Sequence, residues 1–474
     1  MSDPTAEPIS RREMLARASG GFGAIALAGL FADGAVAEDA TRPATTDPLA
    51  PRTPHLEPRA KRVIFLYMTG GVSHVDTFDP KPKLVADHGK SITVDNWQGK
   101  IGQFQRYFKK PGWEFRPGGS CGTQISDLFP NVRAMADDLC VIRSMSSDHT
   151  NHYEGTLGMH TGSFTFARPS IGSWVSYGLG TENRNLPSFL VLAPAAPYAG
   201  AQTWGADFLP GCHQGTHVVP GPTPIPNIQP RVPSQAAQRR ELDLLARADR
   251  RHLATRPGDA ALEARIRSFE TAFGMQSAAP HAFDLAEESD ATLALYGLQR
   301  GQTTGFGWQC LVARRLAERG VRFLELIDTG SSGNWDSHGN MQDHVALARN
   351  VDRPIAGLLT DLKQRGMLDD TLVVWTTEFG RTPYHEQAGH AGREHHHQAF
   401  SSWLAGGGVK PGMTFGATDD YGVAVAQDKV HVHDFHATIL HLLGLDHERL
   451  TYRHAGRDYR LTDVHGRVVK EILA

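Results

Sequence analysis

Two apolar runs in this chain stop abruptly in ligand-forming residues, and they constrain its fold more than any other feature. Val63-Ile-Phe-Leu-Tyr-Met-Thr69 breaks into Gly70-Gly-Val-Ser-His-Val-Asp76, and Leu372-Val-Val-Trp-Thr-Thr377 breaks into Glu378-Phe-Gly-Arg381. A β-branched and aromatic run without polar alternation is how a strand covered on both faces reads, as in a parallel sheet. Such sheets deliver their ligands at the carboxyl edge, on the loops that follow the strands. About three hundred residues separate the two runs. If both edges serve one site, most of the chain folds around it.

The remaining pattern agrees with that sheet. Strands are expected over Val63–Thr69, Leu139–Ser144, Phe189–Ala193, Arg322–Ile327, Leu372–Thr377 and Ser402–Ala405. Helices are expected over Leu128–Ala136, Trp308–Glu318, Val345–Arg365 and Phe435–Leu443. Alternation of these elements predicts an α/β fold with helices on both faces of a mostly parallel sheet. Residues 81–125 and 195–232, rich in Gly, Pro and aromatics, read as long excursions over the sheet edge. Residues 235–280 are charged and helix-favouring, with leucines at helical intervals, and predict an inserted helical hairpin or cap. No internal repeat is visible, so residues 59–474 form one catalytic-type domain.

The first residues are an address. Ser10-Arg11-Arg12-Glu13-Met14-Leu15, an Ala/Gly/Leu stretch from Ala18 to Ala32 and the small residues Ala35-Val36-Ala37 match a twin-arginine export signal over residues 1–37. Residues 38–58 then read as a flexible mature N-terminus, and the product is expected in the periplasm or outside the cell. The apolar stretch is shorter than the ~20 residues a bilayer span needs, so no stable membrane insertion is expected. A net charge of −3 gives no attraction to nucleic acid. Four scattered cysteines, with no Cys-x-x-Cys, support neither a zinc knuckle nor a dense disulfide framework. Nothing in the sequence sets an oligomeric state.

Candidate ligands gather at the breaks. His74 and Asp76 follow the first run, and Glu378 ends the other, with Arg381 placed either to clamp an anion or to form a structural ion pair with Glu378. Ile327-Asp-Thr-Gly-Ser-Ser-Gly-Asn-Trp-Asp-Ser-His338 leaves a further strand and carries Asp336 and His338, an Asp-x-His spacing suited to zinc, manganese or iron. His395-His396-His397 forms a triplet from which one or two side chains face inward, since neighbours in an extended segment point opposite ways. The histidines from His431 onward alternate with apolar residues and helix formers, which suits packing and capping better than metal.

The order strand–Asp, strand–Asp-x-His, strand–Glu, His is similar to that of the alkaline phosphatase/sulfatase superfamily. Gly70-Gly-Val-Ser-His-Val-Asp-Thr-Phe-Asp-Pro-Lys-Pro82, Trp335-Asp-Ser-His338, Thr377-Glu-Phe-Gly-Arg-Thr-Pro383 and Gly392-Arg-Glu-His395 more closely resemble the exported bacterial family catalogued as domain of unknown function 1501. The resemblance spans nearly all of residues 60–474. It implies a sulfatase-like sandwich and one or two divalent ions, drawn from zinc, manganese, calcium and magnesium. Asp76 and Glu378 would share one ion and Asp336, His338 and His395 would hold the other, with Arg381 or Asn151 near a bound anion; His396 and His74 are further candidate ligands.

The departures concern the nucleophile. Counting back from Thr161-Gly162, His152 occupies the place of the modified cysteine of sulfatases, and no Cys-x-Pro-x-Arg or Ser-x-Pro-x-Arg motif exists. Thr150 is then one candidate nucleophile; in the alternative, His152 is a ligand and hydroxide on the metal attacks. Phe379 also replaces the His or Asn that usually follows the ligand carboxylate. The expected function is a metal-dependent hydrolase of phosphate or sulfate esters, acting on an anionic small molecule or polysaccharide. The alternative is an inactive relative that binds an anionic glycan or an exported partner.

Overall fold

The computed structural model describes residues 47–474 apart from 98, 99, 230–233, 257, 258 and 332. The expected export signal over residues 1–37 and residues 38–46 lie outside the described residues. Residues 47–58 contain no helix or strand, yet they are tied down rather than loose. Leu49 is buried, Arg52 N–H donates to the Leu179 carbonyl, and Leu56 N–H donates to the Gly444 carbonyl.

The central sheet contains β1 (Arg62–Met68), β2 (Leu139–Ser146), β3 (Phe189–Leu192), β4 (Thr216–Val218), β5 (Phe323–Asp328), β6 (Thr371–Thr376), β7 (Phe400–Ala405), β8 (Met413–Phe415) and β9 (Val430–His431). Their spatial order is β8-β2-β7-β6-β1-β5-β3-β4, with β9 also paired to β2. Every adjacent pair is parallel except the two involving β7. All six expected strands are present.

Side chains alternate between two covered faces, which is why β1 reads as unbroken apolar sequence. Ile64, Leu66 and Met68 pack with α6 (Phe306–Glu318) and α7 (Asp343–Gln364). Val63, Phe65 and Tyr67 pack with α3 (Ile171–Leu179) and α8 (Val432–Leu442). The charged insertion is two helices, α4 (Gln235–Ala254) and α5 (Ala260–Phe283), joined by an Arg239–Glu270 ion pair at 3.1 Å.

Register sets the site. Tyr67 pairs with Thr376 and Met68 with Asp328, so β1, β5 and β6 end level with one another. The loops at 69–76, 329–338 and 377–381 therefore leave one edge together. Gly70 lets the first two touch. Its φ is +113°, and a Cβ there would stand 2.7 Å from the Trp335 and Asp336 backbone nitrogens.

Candidate metal centre

Asp336 Oδ1 is the focus of the cluster. His338 Nε2 lies 3.0 Å from it, His152 Nε2 3.2 Å and His395 Nε2 3.2 Å, while the His338 and His395 Nε2 atoms are 2.8 Å apart. His152 is the first residue of α2 (His152–Thr161), so its position is set by a helix whose N-cap, Asn151, accepts the Tyr153 N–H. His395 arrives on a two-residue strand paired with Gly380–Arg381. Gly392 brings that segment against the Asp336 loop, because a Cβ there would fall 1.6 Å from the His338 carbonyl oxygen.

The second nitrogen of each ring decides what the first can do. His395 Nδ1 faces the Thr150 carbonyl at 2.7 Å, His152 Nδ1 faces Glu378 Oε1 at 2.7 Å, and His338 Nδ1 faces Glu394 Oε2 at 3.1 Å. A carbonyl and two carboxylates only accept, so all three Nδ1 atoms carry the proton, and in a neutral ring Nε2 is then a lone pair. Three lone pairs aimed at a carboxylate oxygen repel one another unless a cation or protons stand between them. Without a cation, protons take that place. Asp336 and then Glu394 raise His338 to about 9. Burial opposes charge on His152, but Asp336 and Glu378 outweigh it and raise its pKa. His395 is lowered by burial. Burial works against the Asp336 carboxylate too, yet the three imidazoles and Arg381 hold it far below the usual carboxylate range.

A divalent metal fits this donor set. Four ligands at zinc distances stand about 3.3 Å from one another, close to the spacings found here. His152 Nε2 is buried without a hydrogen-bond partner, as a ligand atom awaiting its ion would be.

Around these four residues lies a layer that holds them. Glu378, fully buried at the end of β6, accepts from Gly70 N–H at 2.8 Å, Tyr67 OH at 2.9 Å and Thr377 Oγ1 at 3.0 Å as well as from His152. Tyr198 stacks on the His152 ring at 4.2 Å, and its hydroxyl accepts from Asn334 Nδ2. The Phe379 ring lies 4.8 Å from both His152 and His395. Arg381, also fully buried, spends its donors on the Gly70, Gly71 and Arg393 carbonyls and, at 2.5 Å, on Asp336.

The structure thus brings together His152, Asp336, His338 and His395, with Glu378 and Arg381 behind them. Arg381 corrects the expectation of an anion clamp, since its guanidinium is inside the protein and already bonded. Asp76 stands apart from the cluster as well. Its Oδ2 takes Arg393 Nε at 2.6 Å and Ser73 Oγ at 2.5 Å, and its Oδ1 takes the Gly112 N–H at 3.0 Å, so it forms a buried ion pair. Burial and those bonds leave no oxygen for a metal. His74 Nε2 donates to the Gly422 carbonyl at 2.9 Å and His396 Nε2 to the Val423 carbonyl at 2.5 Å, and burial pushes their pKa values to about 4 and about 3. Both pin the 419–424 loop. Thr150 meets the cluster through its carbonyl. Glu394, Tyr67, Tyr198 and Arg393 escaped the sequence argument; Glu394 and Arg393 had a signal, as residues of the motif that carries His395.

A second group, Asp148, His431 and His433, has comparable composition and the opposite proton arrangement. His431 Nδ1 accepts the His433 backbone N–H as the cap of α8, so its proton sits on Nε2, 3.1 Å from Asp148. With Nδ1 filled and the proton on Nε2, His431 offers no lone pair to a metal, which leaves His433 as the one open nitrogen donor of the three.

Fold and site together define an α/β protein whose sheet edge assembles an imidazole–carboxylate cluster suited to a divalent metal. The model of the family "Protein of unknown function (DUF1501)" matches residues 60–473, and the chain belongs to that family. No curated protein matches it. Among solved structures it is similar to the PsFucS1 sulfatase from Pseudoalteromonas sp. (12% identity, 82% of this chain and 68% of that chain, TM-score 0.34). It is also similar to the phosphonate monoester hydrolase SpPMH from Silicibacter pomeroyi (11% identity, 73% and 71%, TM-score 0.33). A third is the C-terminal periplasmic domain of EcEptC from Escherichia coli in complex with Zn (9% identity, 84% and 88%, TM-score 0.37). The likeness concerns the course of the chain, and the chemistry of the site is argued from its own residues.

Proposed function

We propose that this protein is an exported, metal-dependent hydrolase of phosphate or sulfate esters. The observation that carries the proposal is the convergence of three Nε2 lone pairs on Asp336 Oδ1. Nitrogen-rich donors favour zinc over calcium, magnesium and manganese, which prefer oxygen ligands. Bound there, such an ion would act as a Lewis acid on an ester oxygen that joins the four protein ligands as a fifth. The chain's own residues do the rest. Glu378, Glu394 and the Thr150 carbonyl hold the imidazoles in one tautomer, and Arg381 fixes Asp336 from beneath. The N-terminus of α2, at His152, adds the positive end of a helix dipole beside the site, which suits an anionic substrate. No helix of the described residues is long and apolar enough to cross a membrane. Export by the twin-arginine route is part of the proposal and rests on the signal motif.

A second reading, binding of an anionic glycan without turnover, is favoured by one observation: Thr150 meets the cluster through its carbonyl, which is already occupied by His395. A screen of aryl phosphate, phosphodiester and sulfate esters separates the two. Hydrolysis that disappears with a chelator and in His152→Ala supports the hydrolase. Tight binding of sulfate or phosphate esters by metal-loaded protein, with no turnover, supports the binder.

A further inference from the structure

The inference rests on the metal-centre reading and concerns how many ions the centre takes and what Glu378 does there. We infer that the centre is built for a single ion, and that Glu378 is a positioning residue that orients His152 and does not touch the metal. The resemblance to the two-metal superfamily implies one ion on Asp76 and Glu378 and another on Asp336, His338 and His395. The donors counted around each carboxylate argue otherwise.

An ionised carboxylate has about four lone-pair sites. Glu378 faces four donors: Gly70 N–H and His152 Nδ1 on Oε1, and Tyr67 OH and Thr377 Oγ1 on Oε2, the last sharing its single proton with the Met68 carbonyl at 2.8 Å. It is fully buried, so serving as a ligand would strip these groups of their acceptor where water cannot replace it. Behind it the order continues, because Tyr67 OH also lies 2.9 Å from Thr156 Oγ1, on the same helix as His152. The pair Glu378–His152 has the form of a carboxylate–histidine–metal arrangement, in which the carboxylate sets ring orientation and tautomer.

Positive charge for a second ion is already present in covalent form. Arg393 and Arg381 are both fully buried; Arg393 lies on Asp76, Arg381 lies on Asp336, and Arg381 Nη1 donates to the Arg393 carbonyl at 3.3 Å. A second divalent ion between those carboxylates would face two guanidiniums with little solvent to screen them. What remains is three imidazoles and Asp336, enough for one four-coordinate ion.

The test uses the purified mature protein, stripped by chelator and reloaded with zinc for metal content and with cobalt for its visible spectrum. Wild type is expected to take one equivalent. Glu378→Gln should keep one equivalent and the same cobalt band positions, with affinity weakened about 10–100-fold. Tyr67→Phe should move affinity the same way by less, and it decides the matter if Glu378→Gln does not fold. Two equivalents in wild type would overturn the inference and leave the metal centre standing. So would displaced cobalt bands or unchanged affinity in the variants. No bound metal in wild type would overturn the metal centre itself, and the inference with it.

Discussion

Two groups of histidine surround an aspartate in this protein, and they differ in where their protons sit. Around Asp336, each Nδ1 is held by an acceptor and each Nε2 points at its neighbours. Around Asp148, the His431 Nδ1 is itself an acceptor, filled by a backbone N–H of the helix it caps, and Nε2 carries its proton toward the carboxylate. The first group aims three Nε2 lone pairs at one carboxylate oxygen, and the second does not. Composition and proximity are alike in the two; the outer hydrogen bond distinguishes a metal site from a helix cap.

That contrast can be broken most forcefully at the edge of the first group. Asp76→Asn leaves the buried Arg393 guanidinium without its partner and is expected to cost about 3–5 kcal/mol of stability, read from chemical denaturation. The folded variant should still bind metal. A variant of native stability without metal would restore Asp76 as a ligand.

Within the clusters, His395→Ala should weaken zinc binding by about 100–1000-fold, taking about 2.5–4 kcal/mol as the share of each ligand in a four-ligand site. His433→Ala should leave it unchanged. Equal losses in a zinc competition assay would erase the distinction. Glu394→Gln, which removes the partner of His338 Nδ1, should weaken zinc binding by about 10–100-fold in the same assay. An unchanged affinity would mean that His338 is oriented by something else.

The smallest effect belongs to the second cluster and appears in acid. Burial, reinforced by His431 and His465 and opposed by Asp148 and Asp434, lowers His433 to about 4. A histidine lowered in the folded state binds fewer protons there than when unfolded. Its stabilising contribution is therefore complete above its ordinary value of 6.5 and is lost as the pH falls through about 4. His433→Gln should flatten the decline of melting temperature over that window, and an unchanged slope would place the acid sensitivity elsewhere.

The sheet was legible because runs such as Val63–Thr69 and Leu372–Thr377 fit only strands covered on both faces. Asp336, His338 and His395 were legible because they follow breaks or sit in compact motifs. The role of Asp76 was not, since its partner Arg393 lies 317 residues away and no local pattern announces it. Glu378 was placed at its strand end, but its four donors come from β1, the turn after it, α2 and its own neighbour, so its work depended on tertiary packing. Arg381 read as a clamp because nothing in the sequence shows that the Gly70 and Gly71 carbonyls enclose it. His152 was marked only by its place in a family pattern.

The central claim is most directly tested by anomalous diffraction at the zinc edge from crystals of zinc-loaded protein. The account predicts one strong peak about 2.0–2.2 Å from Nε2 of His152, His338 and His395 and from the Asp336 carboxylate. A peak on Glu378 or Asp76, or one only among Asp148, His431 and His433, would contradict it.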